Sequence, residues 1–424
     1  MNELASPTTL EAEAAGGLDL SRIRSIDGID VHGKRVLIRV DFNVPIEGGV
    51  VADPTRITRV LPTIAKLARE GAKVIVLSHL GRPKGTISAD TSLRPVARKM
   101  QELMPGTTVR FIGDCMGEEV RRGLSALKPG DVAVLENVRF YPGEEKNDPR
   151  FAKSLAEHGD LFVGDAFSSA HRAHASVDAI ADLLPSYAGL LMMAEITALG
   201  EALENPDRPV MAIVGGAKVS TKIHVLTHLV ARMDVLVVGG GMANTFLLAK
   251  GVDIGASFSE PDFVPTAKDI MARAKQAGCE IVLPTDAVVA NELKPGVAWS
   301  VCAVDAVPPG AMILDFGPDS VADLKRRLGA IHTVLWNGPL GAFETAPFGE
   351  ATFAVAREVA RLTKEDKLVS VAGGGDTVRA LNEAHVAADF SYVSTAGGAF
   401  LEWLGGAQLP GVAALARSGA RAAA

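Results

Sequence analysis

Short runs of apolar residues recur along the chain, and the segments between them repeat their apolar positions with the helical period of about 3.6 residues. Apolar runs without alternation are typical of parallel strands that helices cover on both faces. Strands and helices in alternation predict an α/β fold built on parallel sheets. The predicted strands are 35–40, 73–78, 132–136 and 161–165 in the first half and 210–214, 234–238, 280–284, 312–315, 332–336 and 368–372 in the second.

One helical segment separates the two sets of strands. Its apolar stripe and the two prolines that close it are Met192, Ile196, Leu199, Leu203, Pro206 and Pro209. We therefore expect two doubly wound, Rossmann-like domains with parallel sheets, joined by a hinge helix. The expected divisions are an acidic, solvated tail at 1–20, a first domain at 21–190, the inter-domain helix and hinge at 191–208, a second domain at 209–395, and a C-terminal segment at 396–424 that returns toward the first domain and has a flexible end.

Composition narrows the class of partner. The 424 residues carry a net charge of −7, so neither nucleic acid nor an anionic membrane is an expected partner. The acidic tail lacks the features of a signal or transit peptide, and the sequence has no uncharged apolar run of about 18 residues. The three cysteines, Cys115, Cys279 and Cys302, do not have metal-binding spacing and are expected to be reduced, which indicates a cytoplasmic protein.

Polar and cationic residues follow the strands of the first half. Ligands of open α/β sheets bind beyond the carboxyl ends of the strands, so these residues mark an expected site. A single loop arginine is more often solvated surface, but arginines on three strands of one sheet favour an anion, because their forks match phosphate and carboxylate. The segments are DFNVP (41–45), HLGRP (79–83), NVRF (137–140) and AFSSAHRAH (166–174), which supply Arg82, Arg139 and Arg172.

The segment Gly164–Ser176 also raises the question of a metal ion. His171 and His174 have a His-x-x-His spacing, and Asp165 could be a third ligand. Arg172 between the two histidines would repel a cation. The sequence therefore favours an anion at this segment and disfavours a metal ion.

Glycine-rich segments follow the strands of the second half. Glycines let a ligand approach backbone N–H groups, and helix N-termini favour phosphate. Any one such segment is more simply a tight strand-to-helix turn, but four on one sheet edge favour a nucleotide. Lys218 and Lys222 are spaced to lie one turn apart on one helix, with both ammonium groups facing the same way. The segments are GGAKVSTK (215–222), GGGMANTF (239–246), NGPLGAFE (337–344) and GGGDT (373–377).

Missing motifs exclude several nucleotide-binding classes. The segments GGGMAN and GGGDTV do not match the G-x-G-x-x-G pattern, because they end in Asn244 and Val378. The absence of this pattern argues against a protein kinase and against a dinucleotide-dependent oxidoreductase. The nearest match to a P-loop, GIDVHGKR (28–35), has Arg35 in place of Ser or Thr and precedes a strand instead of following one.

Taken in order, these segments closely resemble the phosphoglycerate kinase family from about residue 22 to about residue 415. The motifs that carry the resemblance are RVDFNVP, SHLGRP, ENVRF, AHRAHAS, GGAKVSTK, GGGMANTF, WNGPLGAFE and GGGDT. The resemblance implies a glycolytic transferase that passes a phosphoryl group reversibly between ATP and the carboxylate of 3-phosphoglycerate, with Mg²⁺ as cofactor and ADP and 1,3-bisphosphoglycerate as products. It also implies a monomer whose partners are small molecules. The alternative is a catalytically silent, nucleotide-binding regulatory paralogue.

The resemblance implies roles for single residues. The implied contacts to 3-phosphoglycerate come from Asp41, Asn43, Arg56, His79, Arg82, Arg139 and Arg172. The implied catalytic residues are Arg56, Lys218, Lys222 and Gly397. The implied nucleotide contacts come from Lys222, Gly239, Gly317, Asn337, Pro339, Glu344, Gly374, Gly375, Asp376 and Thr377, with Asp376 as the Mg²⁺ ligand. Because the two substrates would bind different domains, we expect the reaction to need closure about the hinge.

Two residues depart from the family pattern near the C-terminus. Ala396 stands where the family usually has glycine, and Tyr392 stands where histidine is common. Positions at a helix N-terminus have negative φ, which alanine adopts without strain. We therefore expect Ala396 to open a helix as glycine would.

Overall fold

The computed structural model describes residues 19–423 and divides them into two compact units. One unit takes the chain up to Ile196 together with the residues from Gln408 onward, and the other takes Thr197–Ala407. The tail predicted at 1–20 lies outside the described residues except for its last two positions, and Ala424 lies outside them as well.

The first unit contains a six-stranded parallel sheet flanked by helices. Its elements in the described part of the chain are β1 (Arg35–Val40), β2 (Ile46–Glu47), β3 (Val50–Val51), α1 (Thr55–Arg69), β4 (Lys73–Leu77), α2 (Arg94–Leu103), β5 (Val109–Ile112), α3 (Glu118–Ser125), β6 (Val132–Leu135), α4 (Pro142–Glu145), α5 (Pro149–Ala156), β7 (Leu161–Asp165) and β8 (Ser186–Ala188). The strand order is β5-β6-β4-β1-β7-β8. Ile38 of β1 lies level with Val76 of β4 and Val163 of β7, and all three are fully buried, so β1 runs through the centre of the core.

The second unit repeats this design. The next elements along the described chain are α6 (Leu190–Leu203), β9 (Val210–Val214), α7 (Ile223–Val230), β10 (Val235–Val238), α8 (Gly241–Ala249), α9 (Val264–Ala277), β11 (Glu280–Val282), β12 (Asp286–Ala290), β13 (Trp299–Ala303), β14 (Met312–Phe316), α10 (Pro318–Leu328), β15 (Thr333–Asn337), α11 (Glu350–Lys364), β16 (Val369–Gly373), α12 (Gly375–Glu383), β17 (Tyr392–Ser394) and α13 (Gly397–Leu404). The parallel sheet has the order β11-β10-β9-β15-β16-β17, with Trp336 of β15 buried between Ile213 and Ala372. The predicted fold class, two doubly wound α/β domains, is confirmed.

One predicted strand lies outside the parallel sheets. β14, predicted at 312–315, pairs antiparallel with β12 in a separate sheet of order β13-β12-β14. The sequence reasoning missed β12, although its residues Ala287–Ala290 form a mostly buried apolar run, and it missed β13, which is a largely exposed edge strand. Trp299 and Val301 of β13, for example, are 52% and 44% exposed. The edge strands β5, β8 and β17, of three or four residues each, were missed as well.

The last helix, α14 (Pro410–Ala423), belongs to the first unit. Arg417 pairs with Asp178 at 2.7 Å and with Asp182 at 3.1 Å, and Arg421 also pairs with Asp182 at 2.7 Å. Gly419 lies so close to the Arg22 carbonyl that a Cβ there would be 1.8 Å from its oxygen. Ion pairs and close backbone packing therefore hold the helix against the rest of the first unit.

Each parallel sheet has a switch point, where the chain connections leave neighbouring strands in opposite directions. It lies between β1 and β7 in the first unit and between β9 and β15 in the second. Such a crevice, at the carboxyl ends of the strands, is where open α/β sheets bind ligands.

Among residues 19–423, no helix combines the length and apolar character that crossing a membrane requires.

Candidate active site

The first unit gathers buried cations at the carboxyl edge of its sheet. Arg39, near the end of β1, is 1% exposed; its Nε donates to Ser176 Oγ at 2.8 Å, and a terminal nitrogen lies 3.0 Å from His79 Nδ1. Because a guanidinium can only donate, His79 Nδ1 must accept, and the ring proton lies on Nε2. Burial and the charge of Arg39 hold the pKa of His79 well below its ordinary value. His79 is therefore a neutral N–H donor.

A buried carboxylate lies among these cations. Glu144 of α4 is fully buried and accepts the Ser176 N–H at 2.9 Å and the Ser176 hydroxyl at 2.6 Å, so Ser176 joins it to Arg39. Burial raises the pKa of Glu144, although the charge of Arg39 opposes this. Arg139 is 3% exposed and donates to the Gly81 carbonyl at 2.8 Å, and burial with the charge of Arg39 lowers its pKa to about 10. The excess of buried positive charge favours an anion.

Arg172 belongs to the same set, because its charge also lowers the pKa values of His79 and Arg139. We call Arg39, His79, Arg139, Arg172 and Glu144 the basic cluster. Arg82, predicted with them, is exposed on the loop after β4 and stands outside this buried network.

Asp41 and Arg56 form an ion pair at the end of β1. Arg56, in the first turn of α1, donates to Asp41 Oδ2, as does the Ser168 hydroxyl. Burial opposes ionisation of Asp41, but the positive charge beside it holds the pKa below its ordinary value. Asn43 is exposed, and its Oδ1 accepts the Gly81 N–H at 2.9 Å, which fixes the loop after β4. The structure thus brings Arg56, the predicted catalytic arginine, together with Asp41, a predicted contact to 3-phosphoglycerate.

The His-x-x-His segment has the surroundings of an anion site. Arg172 Nε donates to His171 Nε2 at 3.1 Å, which occupies the lone pair that a metal ion would need. Burial and neighbouring arginine charges lower the pKa of His174 to about 3, and its Nδ1 lies 3.7 Å from Glu144 Oε1. Within residues 19–423, no three His, Cys, Asp or Glu side chains are grouped as a metal site.

A cavity of about 390 Å³ opens beyond the carboxyl ends of strands β9, β10, β15 and β16 in the second unit, and β14 forms part of its wall. Its volume lies in the range of small-molecule sites. Apolar side chains and glycine backbone form much of the wall, and carboxylates border it; examples are Phe258, Leu293, Met312, Glu344 and Asp376. An apolar slot bordered by charged groups suits a ligand with a flat ring at one end and charge at the other.

Glycines let the loops around this cavity pack backbone against backbone. A Cβ on Gly338, where φ is +105°, would lie 2.1 Å from the Gly215 carbonyl oxygen. A Cβ on Gly240, where φ is +66°, would lie 2.6 Å from the Gly216 carbonyl oxygen. Gly216 and Gly240 line the cavity, so a ligand there meets main chain directly.

Two glycines predicted as nucleotide contacts, Gly317 and Gly239, are required by the packing around them. A Cβ on Gly317 would lie 2.2 Å from the Asp286 carboxylate, which accepts N–H groups from the start of α10. A Cβ on Gly239 would lie 2.9 Å from Leu340 Cα. The cavity wall beside them is formed by their neighbours Phe316 and Gly240.

Lys222 points its ammonium group at oxygen atoms. Nζ donates to the Gly215 carbonyl at 2.6 Å, to Asn337 Oδ1 at 2.6 Å and to the Asn337 carbonyl at 3.2 Å. Burial lowers the pKa of Lys222 to about 8, although the charge of Asp376 opposes this. The ammonium group is therefore held near the cavity by carbonyl and amide oxygens, and the Asp376 carboxylate is close enough to raise its pKa.

The prediction that Lys218 and Lys222 share one helical face is wrong. A 3₁₀ turn, Val219–Thr221, separates them, and α7 begins only at Ile223. Glu260 accepts both the Ser220 N–H at 3.0 Å and the Ser220 hydroxyl at 2.6 Å, which stabilises the turn against a helical start. Lys218 is exposed, whereas Lys222 is partly buried.

Two helices begin side by side at the edge of this site. A Cβ on Gly397, the first residue of α13, would lie 3.8 Å from Gly374 Cα and 3.8 Å from Gly375 N at the start of α12. The first-turn N–H groups of a helix have no partner inside it and favour anions. Asp376, in the first turn of α12, is exposed and lines the cavity.

The remaining predicted nucleotide ligands tie the loops together. Thr377 Oγ1 accepts the Gly338 N–H at 2.7 Å, and Asn337 Nδ2 donates to the Gly373 carbonyl at 2.8 Å. Both side chains are nearly fully buried. Pro339 and Glu344 line the cavity itself.

Ala396 fits its position without strain, as expected. It is the residue before α13, with a φ of −94° and 2% exposure. Its N–H donates to Ser394 Oγ at 3.1 Å, so this donor is already used within the loop. The N–H groups that face a ligand must then come from Gly397 onward.

Sequence reasoning missed three residues of these sites. Arg39 was hidden inside an apolar strand, although a charge within a buried run is itself a signal. Asn244 and Phe258 both line the cavity, and Phe258 is 51% exposed. Nothing in the local sequence distinguishes that phenylalanine from a core residue.

Comparison with known proteins agrees over almost the whole chain. The family model "Phosphoglycerate kinase" matches residues 26–407. Curated phosphoglycerate kinases from Chelativorans sp. (strain BNC1) and Methylorubrum extorquens (strain PA1) are 56% and 58% identical, covering 93% of this chain in each case and 100% and 98% of the relatives. The solved phosphoglycerate kinase from Coxiella burnetii is 41% identical with a TM-score of 0.87, covering 94% of this chain and all of its own. Such enzymes are ATP-dependent phosphotransferases that act on the carboxyl group of 3-phosphoglycerate. The chain therefore belongs to the phosphoglycerate kinase family.

Proposed function

We propose that the basic cluster of the first unit binds the phosphate of 3-phosphoglycerate, and that the cavity of the second unit binds ATP with Mg²⁺. The observation that carries this proposal is a matched pair of sites. At one switch point lies a buried excess of positive charge, and at the other lies a slot with apolar walls and two helix N-termini. This pairing suits a small phosphorylated acid and a nucleotide.

The reaction needs no general base. The acceptor is a carboxylate with a pKa of about 3–4, so it is already ionised near pH 7. The protein contributes to catalysis by positioning the two substrates and by offsetting the negative charge on the transferred phosphoryl group. Asp41 would accept the substrate hydroxyl and Arg56 would offset developing charge, supported by their direct contact at the end of β1.

Asp376 has the chemistry of a Mg²⁺ ligand. Mg²⁺ prefers oxygen and binds through one or two carboxylates plus phosphates and waters, so one exposed carboxylate at the cavity is sufficient. Bound Mg²⁺ would offset charge on the nucleotide phosphates. Lys222 and the N-terminus of α13 would meet the phosphate on its other sides, and the exposed Lys218 is available to the same end of the nucleotide.

A coupled assay with Mg²⁺, ATP and 3-phosphoglycerate tests the proposal. We expect turnover, loss of kcat in Arg56→Ala, and mainly a raised KM for 3-phosphoglycerate in Arg172→Ala. Arg82→Ala is a matched control, because this exposed arginine stands outside the basic cluster and should have the smaller effect on KM. A folded chain that binds ADP but does not turn over would instead establish the silent, regulatory paralogue.

We place this activity in the cytoplasm and expect a monomer. The three cysteines are free, which suits a reducing compartment. Light scattering of the purified chain that gives twice the mass expected from the sequence would contradict the monomer.

A further inference from the structure

The cavity of the second unit contains a buried polar atom without a hydrogen-bond partner. Asn244, in α8, is 2% exposed and lines the cavity. Its Oδ1 finds no donor in the part of the chain that the structure describes. A buried acceptor that stays unpaired is costly, so such an atom calls for a donor that the protein itself does not supply.

The orientation of the Asn244 amide is fixed. Nδ2 donates to the Phe258 carbonyl at 3.1 Å. A carbonyl oxygen can only accept, so the amide cannot be turned to place Oδ1 there. The side chain of Asn244, which lines the cavity, therefore leaves an acceptor and not a donor unmatched.

The other deeply buried polar side chain of the cavity wall is already matched. Asp315 Oδ1 accepts the Phe316 N–H at 2.9 Å, and Oδ2 accepts the Ala351 N–H at 3.0 Å. Glu344 and Asp376, which also border the cavity, are exposed to solvent. The unmatched acceptor of Asn244 thus stands out in the buried part of the wall.

We propose that Asn244 is a base-specificity residue, whose Oδ1 accepts a hydrogen bond from the exocyclic amino group of adenine. Guanine and hypoxanthine carry a carbonyl oxygen at the same ring position, which would face Oδ1 as a second acceptor. The site therefore prefers a 6-amino purine over a 6-oxo purine. This inference rests on the proposed nucleotide site and adds the feature that selects the base.

The test compares three nucleotides on the full chain: ATP, inosine triphosphate and purine riboside triphosphate, which lacks any group at the 6 position. We expect kcat/KM for ATP to exceed that for purine riboside triphosphate by about tenfold, the usual size of one buried hydrogen bond, with inosine triphosphate lower still. In Asn244→Leu, the value for ATP should fall to that for purine riboside triphosphate. Equal use of ATP and purine riboside triphosphate by the unmodified chain would overturn the proposal, and this comparison needs no folded variant.

A control distinguishes a role of Asn244 in base selection from a structural role in the cavity wall. Asn244 also holds the Phe258 segment, so a merely structural role would lower kcat/KM for all three nucleotides by one factor. Phe258→Ala should do this, since it removes apolar wall but leaves Oδ1 in place, whereas Asn244→Leu should change the ratios. A uniform loss in Asn244→Leu counts against the proposal. Calorimetry of the binding of ADP, inosine diphosphate and purine riboside diphosphate measures the same base preference without turnover. A chain that does not catalyse the reaction can therefore still show whether it selects the base.

Discussion

Lys222 is a partly buried cation surrounded mainly by neutral oxygens, and this makes its charge sensitive to pH. Its pKa is lowered to about 8 by burial, against the opposing charge of Asp376. Since the protonated form predominates only below that pKa, a rise from pH 7 to pH 9 removes the charge that phosphate binding would use.

We expect kcat/KM for ATP to fall as pH rises through about 8 in the unmodified chain. Lys222→Arg is the matched control, because a guanidinium keeps its charge throughout this range. Its activity should be lower, but the alkaline fall should move to higher pH. A fall at the same pH in Lys222→Arg would assign the titration to another group.

At the scale of single residues, loop positions were easier to predict than strand positions. His79, Arg139 and Arg172, which the structure places together in the basic cluster, were singled out because polar residues at strand ends are expected to meet ligands. Arg39 was missed because its neighbours along the chain are apolar. Only the fold shows that its guanidinium group lies beside His79 at the carboxyl edge of the sheet. Oδ1 of Asn244 is unpaired only in three dimensions, so a sequence cannot reveal it.

At the scale of elements, α13 begins next to the start of α12, so two helix N-termini lie side by side. Gly397→Pro deletes one N–H at the first helical position, where proline is tolerated by the helix itself. If that donor meets the transferred phosphate, kcat should fall by about 10²-fold, as for other preorganised donors.

Gly397→Ala is the matched control for that loss, since it keeps the N–H. A Cβ at this position would meet no atom closer than 3.8 Å, so its kcat should stay within about threefold of the unmodified chain, a barrier change of well under 1.4 kcal/mol. Equal losses of kcat in Gly397→Pro and Gly397→Ala would mean that the added side-chain atoms, and not the missing N–H donor, cause the loss.

The central strands of the parallel sheets were predictable, whereas the exposed strand β13 and the short edge strands were missed; β12, which is mostly buried, was missed as well. The central strands β1, β7 and β9 match their predicted bounds residue for residue. The turn between Lys218 and Lys222 could not be predicted, because the carboxylate that stabilises it, Glu260, lies forty positions away in the sequence. A local pattern cannot report such a contact.

At the scale of the whole molecule, the chain makes two units with separate cores, and the first unit is completed by α14. We expect the double variant Arg417→Ala, Arg421→Ala to lower the unfolding free energy of the first unit by about 1–2 kcal/mol, since a shared network contributes more than a lone surface pair. Hydrogen exchange should show the loss in β7 and β8 and not in β9 or β15.

The matched control for this double variant is Arg273→Ala, which removes an exposed pair with Asp269 on α9. It should cost less than about 0.5 kcal/mol. Faster exchange of the second unit in the double variant would contradict the assignment of α14 to the first. Closure about the hinge, expected from the sequence, stays a prediction.

The place of α14 has a consequence for how the protein is made. Leu415 lies against Gly164 of β7, so part of the first unit's sheet is covered by residues that are translated after the whole of the second unit. At about 5–20 residues per second, the ribosome needs roughly 10–45 seconds to proceed from Ile196 to Ala423. Throughout that interval the nascent first unit must wait with the contact surface of α14 uncovered, while the second unit is still being synthesised. Newly made chains should therefore depend on chaperones most during translation of the second half, and release of a chain truncated before Pro410 should leave a first unit that aggregates.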